Sequence, residues 1–240
     1  MSLLTISMLD KLSVETDAPF DINIWKQFRA ECAIISEDVI ATQTSLNAPK
    51  AFDIVPITEN NRHIIAQVDI LLEKEFPKHG GALCFLLSTI PFPGLYDPLA
   101  QDHVFHNCLQ YWAFVDKKTQ ACVGTCGVFL MNKNHKDVIG GGWLALSQEY
   151  RGHGLGRSML EFVTTFSKIF ATRNGQKTLE CNTSDEPHVQ SARQLYKSIG
   201  AKEVSFTPNP YVPGSYAIHV ELDLFPEKNA KENPQPKAAA

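Results

Sequence analysis

Three glycines at alternate positions are the feature of this sequence that most directly predicts a binding site. The run Arg151-Gly-His-Gly-Leu-Gly-Arg157 follows an apolar segment that ends at Leu146, and it opens a long amphipathic stretch. Glycines at this spacing let backbone N–H groups converge on one ligand, and a helix N-terminus adds about half a positive charge. The segment therefore predicts an anion site at a strand–helix junction, suited to a pyrophosphate.

The glycine run does not match the common nucleotide-binding loops. No Gly-Lys-Ser or Gly-Lys-Thr follows it, so it is not a Walker loop. A segment that resembles an antiparallel meander precedes it, and no acidic residue stands at a clear strand end about 20 residues later, which disfavours a Rossmann site. From the spacing alone, a tight strand–helix turn without a ligand is an equal alternative.

Hydrophobic periodicity predicts the elements that would hold this loop, and helices alternate with strands in an α/β pattern. Helical spacing covers Asp21–Ile40, Glu59–Phe76, Gly154–Thr172 and His188–Ile199. The segments with β character are Phe52–Ile57, Tyr111–Val115, Ala121–Met131, Val138–Leu146, Lys177–Cys181, Lys202–Phe206 and Ser215–Leu224. Polar turns after the second and third of these segments predict an antiparallel meander.

The composition excludes several classes of protein. The chain has 240 residues, 44% of them hydrophobic and 20% charged, as in ordinary globular proteins. A net charge of −4 predicts no general affinity for nucleic acid or for an anionic membrane surface. The longest apolar run, near Ala82–Ile90, is far shorter than the ~20 residues that cross a bilayer. The amino end also lacks the basic start of a signal peptide, so we predict neither a leader nor a membrane anchor.

The cysteines of the chain are scattered and form no Cys-x-x-Cys pair. The spacing of Cys122 and Cys126 has no partner pair or nearby histidines of the kind that a zinc site needs, so no metal site is predicted. Scattered thiols in a chain of this length indicate reduced core residues and a cytoplasmic location. The six are Cys32, Cys84, Cys108, Cys122, Cys126 and Cys181.

Two motifs, taken together, resemble the GCN5-related N-acetyltransferase (GNAT) superfamily. The run from Arg151 to Gly156 is similar to the Arg/Gln-x-x-Gly-x-Gly/Ala signature of that family, between a strand and a helix. The second is the strand Leu179-Glu180-Cys181, followed by a helix that contains Ala-x-x-Leu-Tyr and ends at Gly200. The resemblance implies a GNAT fold, in which a mixed and mostly antiparallel sheet of about seven strands is flanked by helices. It divides the chain into an N-terminal helical extension and linker (1–50), an acetyltransferase domain (51–225) and a disordered tail (226–240).

The resemblance also implies acetyl-CoA as co-substrate and no metal. The family transfers an acetyl group to an amine by direct attack within a ternary complex. The backbone of Leu144–Leu146 would pair with the pantetheine arm, and an N–H there would polarise the thioester carbonyl. Amides of the loop would hold the pyrophosphate, with added charge from two arginines and only a backbone contribution from the histidine. The implied cofactor-binding residues are Leu144, Ala145, Leu146, Arg151, Gly152, His153, Gly154, Leu155, Gly156 and Arg157.

Two side chains are the candidates for proton transfer. Tyr196 stands at the general-acid position of the family, where a phenol could protonate the departing thiolate. The alternative for Tyr196 is a structural role as a core tyrosine on the apolar face of the helix. Glu180 is the candidate general base, because some protein N-terminal acetyltransferases of the family use a glutamate at this strand position. Its alternative is a purely structural carboxylate, and His103 and His106 are weaker candidates for the base.

Three departures from the family pattern affect these expectations. Val189 stands where an asparagine is frequent, so the resemblance does not extend to the cofactor hydrogen bond that the asparagine side chain makes. Ala201 replaces the usual phenylalanine after Gly200. The run Gly140–Gly142 stands where many members carry acidic residues, so no base is available from that strand.

Two readings beyond the N-acetyltransferase stay open at this point. One is a catalytically weak module that binds acyl-CoA or a partner on the same fold. The other is an interaction protein in which the segment 1–50 binds a partner. The simpler alternative for this segment is a capping helix or an arm of a homodimer. The acceptor site is expected in Glu73–Val104 and Thr207–Ser215, which favour no single amine: a peptide, a polyamine, an aminoglycoside and a small metabolite all fit.

Overall fold

The computed structural model describes residues 22–46, 51–58, 61–76, 108–130, 138–209 and 212–226. Most of Glu73–Val104, the candidate bases His103 and His106, and the predicted tail after Pro226 lie outside these ranges. Within them the chain forms four α-helices and seven β-strands. The helices are α1 (Ile22–Leu46), α2 (Arg62–Glu75), α3 (Leu155–Asn174) and α4 (Gln190–Ser198). The strands are β1 (Phe52–Pro56), β2 (Cys108–Asp116), β3 (Cys122–Leu130), β4 (Val138–Leu146), β5 (Thr178–Ser184), β6 (Lys202–Pro208) and β7 (Tyr216–Asp223).

The seven strands form one sheet in the order β1-β2-β3-β4-β5-β7-β6. Only the β4–β5 pair is parallel, and every other neighbouring pair is antiparallel. The predicted meander is confirmed as β2, β3 and β4. The predicted mixed, mostly antiparallel sheet of seven strands is confirmed as well, and α3 supplies the crossover that a parallel pair requires.

The parallel pair is joined over only a short length. Val138–Gly140 pair with Thr178–Glu180, and the pairing recorded between the two strands ends there. Both strands continue, β4 to Leu146 and β5 to Ser184. We call the space between these unpaired ends the fork. Because backbone N–H and C=O groups need partners, the edges of the fork can receive a ligand that carries its own amides.

Helices cover the two faces of the sheet, with separate cores. On the first face α1 and α3 pack over an aromatic cluster. In this cluster the ring centroid of Trp112 lies 4.9 Å from that of Phe162 and 4.7 Å from that of Phe166, and both pairs are edge to face. On the second face α2 buries Ile64, Val68 and other apolar side chains against β2 and β3. The second face over β5 and β7 carries polar side chains instead.

The N-terminal helix is part of the first core. Cys32, Ile35 and Val39 of α1 are buried, at the spacing of one helix face. Trp112 donates a hydrogen bond from Nε1 to Ser36 Oγ at 3.2 Å, which fixes α1 against β2. Glu31 accepts a 3.0 Å hydrogen bond from Asn174 at the end of α3. The helix continues to Leu46, which corrects the predicted end at Ile40 and shortens the predicted linker.

The glycines of β4 make room for aromatic rings. A Cβ at Gly140 would lie 2.3 Å from the ring of Phe129, and a Cβ at Gly142 would lie 2.9 Å from the hydroxyl of Tyr111. A Cβ at Gly141, on the other face, would lie 3.5 Å from Leu179, which is an ordinary contact. The sequence departs from the acidic pattern of the family here because an acidic side chain has no space at Gly140 or Gly142.

This arrangement predicts a difference in stability between two neighbouring variants. Gly140→Ala should lower the free energy of unfolding by about 1–3 kcal/mol, because the new methyl group overlaps a packed ring. Gly141→Ala should change it by less than about 1 kcal/mol in either direction, since a strand glycine is slightly destabilising itself. Urea denaturation of both variants measures the difference. Equal midpoints would contradict the proposed crowding.

Candidate active site

The glycine loop has the backbone that its sequence predicts. Gly152 and Gly154 have φ of +81° and +84°, a left-handed conformation that glycine adopts without a steric cost. Gly154 is the N-cap of α3, and the first helical hydrogen bond runs from the Ser158 N–H to the Gly154 carbonyl, at 3.1 Å. The N–H groups of the first helical turn have no preceding helical carbonyl and lie at an exposed loop. The loop is thus suited to an anion.

A β-bulge shapes the β4 edge of the fork. Thr125 pairs with Ala145 and Gly127 pairs with Gly142, so a single residue of β3 faces two of β4, Trp143 and Leu144. Trp143 has φ of +49°, which is unusual for a bulky residue. Its ring packs edge to face on Phe76 at 5.3 Å. The bulge interrupts the β3–β4 pairing at Trp143 and Leu144, and the pairing resumes at Ala145 and Leu146. Such bulges often lie next to active sites.

The two arginines of the loop contact neighbouring elements. Arg151 forms an ion pair with Glu75 of α2 and donates a 2.9 Å hydrogen bond from Nε to the Leu146 carbonyl. Arg157 donates a 3.2 Å hydrogen bond to Ser198 Oγ of α4. The charge of Arg151 is therefore partly neutralised, and its contacts tie the loop to α2 and to the end of β4.

Tyr196 lies on the first face of the sheet, next to the point where the fork begins. Its side chain is 9% exposed and packs in the first core. Its hydroxyl shares a hydrogen bond with the thiol of Cys181 on β5, one residue beyond the last β4–β5 pair. Burial raises the pKa of Tyr196 well above its ordinary value, and the nearby Cys181 raises it further. The phenol therefore stays protonated and acts as a hydrogen-bond donor.

Glu180 lies on the second face, at the same level. Successive side chains of a strand alternate between faces, so Glu180 points away from Cys181. Its carboxylate is 3.1 Å from His219 Nε2 on β7. A second carboxylate, that of Glu221, lies 3.6 Å from the same nitrogen. We call these three side chains the acidic triad.

The structure thus brings together two residues that were predicted as separate candidates. Glu180 and the hydroxyl of Tyr196 flank the start of the fork from opposite faces, with Cys181 beside the hydroxyl. His219 and Glu221 were not predicted as members of the site. Alternation along β7, in which Ile218 and Val220 are buried, was the available signal, but only the β5–β7 register places those two next to Glu180.

The acidic triad is also the group of described residues whose donor atoms lie near enough to share a cation. One atom from each of Glu180, His219 and Glu221 lies within 4.8 Å of the others. Of the two carboxylates, that of Glu180 is within hydrogen-bond distance of His219 Nε2, and that of Glu221 lies just beyond it. The prediction of no metal, from the cysteine spacing and from the family resemblance, stays a prediction.

Residues 108–200 match the model of the acetyltransferase (GNAT) domain, which spans the loop, the fork and α4. This part of the chain is therefore a GNAT acetyltransferase domain, and the general chemistry of that family is acetyl transfer. None of the curated proteins matches the chain in sequence.

Solved GNAT structures share the fold at low sequence identity. The chain is similar to a GNAT-family protein from Desulfovibrio desulfuricans (15% identity, TM-score 0.54, 72% of this chain and 99% of that one). It is similar to an aminoglycoside 6'-N-acetyltransferase complexed with coenzyme A (16%, 0.54, 72% and 97%). It is also similar to a chain of the NatC complex bound to Gag peptide and CoA (19%, 0.53, 72% and 98%).

In the described part of the chain, no helix has the length and apolar character that a membrane crossing requires.

Proposed function

We propose that this protein is an acetyl-CoA-dependent N-acetyltransferase that transfers acetyl to a primary amine by direct attack in a ternary complex. One observation carries the proposal. A carboxylate and a protonated phenol, those of Glu180 and Tyr196, flank the end of the β4–β5 pairing from opposite faces. Amine acylation by a thioester needs a base on the side of the amine and a proton donor on the side of the sulfur.

The residues present fit an acyl-CoA. The amides of Gly152–Arg157 would hold the pyrophosphate at the N-terminus of α3. The edge of Leu144–Leu146 that faces β5 has no recorded strand pairing and would bond to the pantetheine amides. The bulge at Trp143 would aim an N–H at the thioester carbonyl. When bound, acetyl-CoA supplies the activated acetyl group. Coenzyme A in a structural neighbour supports this assignment.

The protons have separate routes in this scheme. An alkylammonium is mostly protonated at pH 7, since its pKa is about 10, so the nitrogen must lose a proton before it attacks. Glu180 would accept that proton on the second face. On the first face Tyr196 would donate a hydrogen bond or a proton to the sulfur that leaves. The nitrogen would then lose its second proton as the amide forms, so the net products include one free proton.

Release of free thiol from acetyl-CoA tests the proposal. The probes are four amines: a peptide with a free α-amine, a lysine peptide with a blocked α-amine, spermidine and kanamycin. We expect thiol release above the amine-free rate with at least one of them, together with an acetylated product in the mass spectrum. CoA binding without release for any amine would favour the alternative, a weak acyl-CoA-binding module. The cytoplasmic location and the homodimer stay predictions.

A variant of the glycine loop tests the anion site. Gly154→Ala should raise the Kd for CoA about 10–100-fold, because a side chain disfavours φ of +84° and the loop would turn an N–H away from the phosphate. Gly175→Ala is the matched control, since Gly175 has φ of +86° at the other end of α3 and nothing within 4 Å. Calorimetric titration measures Kd. If both variants bind CoA equally well, the loop does not hold the phosphates.

A further inference from the structure

Exposure increases in one direction across the acidic triad. The side chain of Glu180 is 12% exposed, that of His219 is 24% exposed and that of Glu221 is 41% exposed. Both carboxylates approach one nitrogen, His219 Nε2, at 3.1 Å and 3.6 Å. The other ring nitrogen lies 3.1 Å from Asn182 Oδ1, which fixes the plane of the imidazole. The three groups therefore connect a partly buried carboxylate with the solvent.

We propose that His219 and Glu221 form a proton relay, which carries the proton taken up by Glu180 out to solvent. This inference rests on the proposed function, because it takes Glu180 as the group that accepts the proton of the amine. His219 is a positioning residue in this scheme, since it acts on the amine through Glu180. Imidazole suits the role because it gains and loses protons near neutral pH.

The proton balance of the relay is simple. The ammonium transfers one proton to Glu180, which becomes a neutral carboxylic acid. Glu180 passes a proton to Nε2 of His219, and the same nitrogen releases it through one water to the carboxylate of Glu221, which is 3.6 Å away. Water then takes it from Glu221, and all three side chains return to their starting state. The net proton of the reaction has left the site without any oxidant, reductant or further reactant.

The charges around His219 suit this path. From β5 it faces Glu180 and Asn182, and from β6 its register partner is Ser205. Lys202 of β6 is the register partner of Glu221. Among these neighbouring described residues, the titratable groups are the carboxylates of Glu180 and Glu221 and the amine of Lys202. An isolated ion pair at this partial exposure would contribute little to stability.

His219→Gln and His219→Ala test the relay with acetyl-CoA and the best of the four amines. Each should lower kcat about 10–100-fold at pH 7. The deficit should shrink as the pH approaches the pKa of the amine, about 10, because solution then supplies free amine. Added imidazole should restore part of the rate of His219→Ala. His188→Gln, at an exposed histidine 4.0 Å from Glu186, is the control and should keep the wild-type rate.

Several outcomes overturn the relay. A deficit that is constant from about pH 7 to about pH 9.5 and insensitive to imidazole would show a structural role for His219. Loss of wild-type activity after chelation of divalent cations, with recovery on addition of zinc alone, would show that the triad is a metal site. If His219→Ala does not fold, His219→Gln and the pH dependence decide. A wild-type protein that acetylates none of the amines would instead refute the proposed function, which is a separate result.

Discussion

Glu180→Gln is expected to lower kcat/KM about 10²–10⁴-fold with an alkylamine acceptor. The substitution keeps the size of the side chain and its position opposite Glu221 on β7, but it removes the carboxylate that we propose takes the proton of the ammonium. The affinity for CoA should not change, because Glu180 lies on the second face, away from the glycine loop. Steady-state kinetics with thiol detection and calorimetric titration of CoA measure the two quantities.

Glu31→Gln is a suitable control for this variant. Glu31 is also a partly buried carboxylate, and it pairs with Arg173 at 3.5 Å, but it lies between α1 and α3 on the first face. It should cost little activity and at most about 1 kcal/mol of stability. If Glu180→Gln keeps the wild-type rate and pH–rate profile, Glu180 is a structural carboxylate and the base lies elsewhere.

The sequence predicted the parts of the site that are local in the chain. The glycine run, the strand that bears Glu180 and the helix that bears Tyr196 each carry their signal within about ten residues. The partners of Glu180 could not be predicted in this way, because His219 is 39 positions away and the two meet through strand register. The bulge at Trp143 was also missed, since the left-handed backbone of a tryptophan depends on tertiary packing rather than on propensity.

The amino-terminal segment shows the same limit on a larger scale. Periodicity predicted the helix, because Cys32, Ile35 and Val39 lie on one face. It did not predict what covers that face, which is β2 and α3 of the domain that follows. The polar contact between Ser36 and Trp112 joins residues 76 positions apart. The division of the chain near residue 50 therefore stays a proposal, and a truncation there would expose part of the first core.

Tyr196→Phe is expected to lower kcat about 10–1000-fold without loss of CoA affinity. In the proposed mechanism the phenol donates to the sulfur as its bond to the acetyl carbon breaks, and a phenylalanine ring keeps the packing of α4 but has no donor. Because the raised pKa keeps Tyr196 protonated, the wild-type rate should show no fall from its ionisation near neutral pH.

The control for this variant must also lose a partly buried hydroxyl. Tyr150→Phe does so. Tyr150 directly precedes the glycine run, and its hydroxyl donates a 3.2 Å hydrogen bond to Asp116 at the end of β2. Thermal unfolding separates stability from catalysis in both variants. Removal of a buried, hydrogen-bonded hydroxyl costs roughly 1 kcal/mol by itself. A Tyr196→Phe protein that is destabilised by that amount but turns over at the wild-type rate would make Tyr196 a core residue, and the proton donor would have to be sought on the second face or in water.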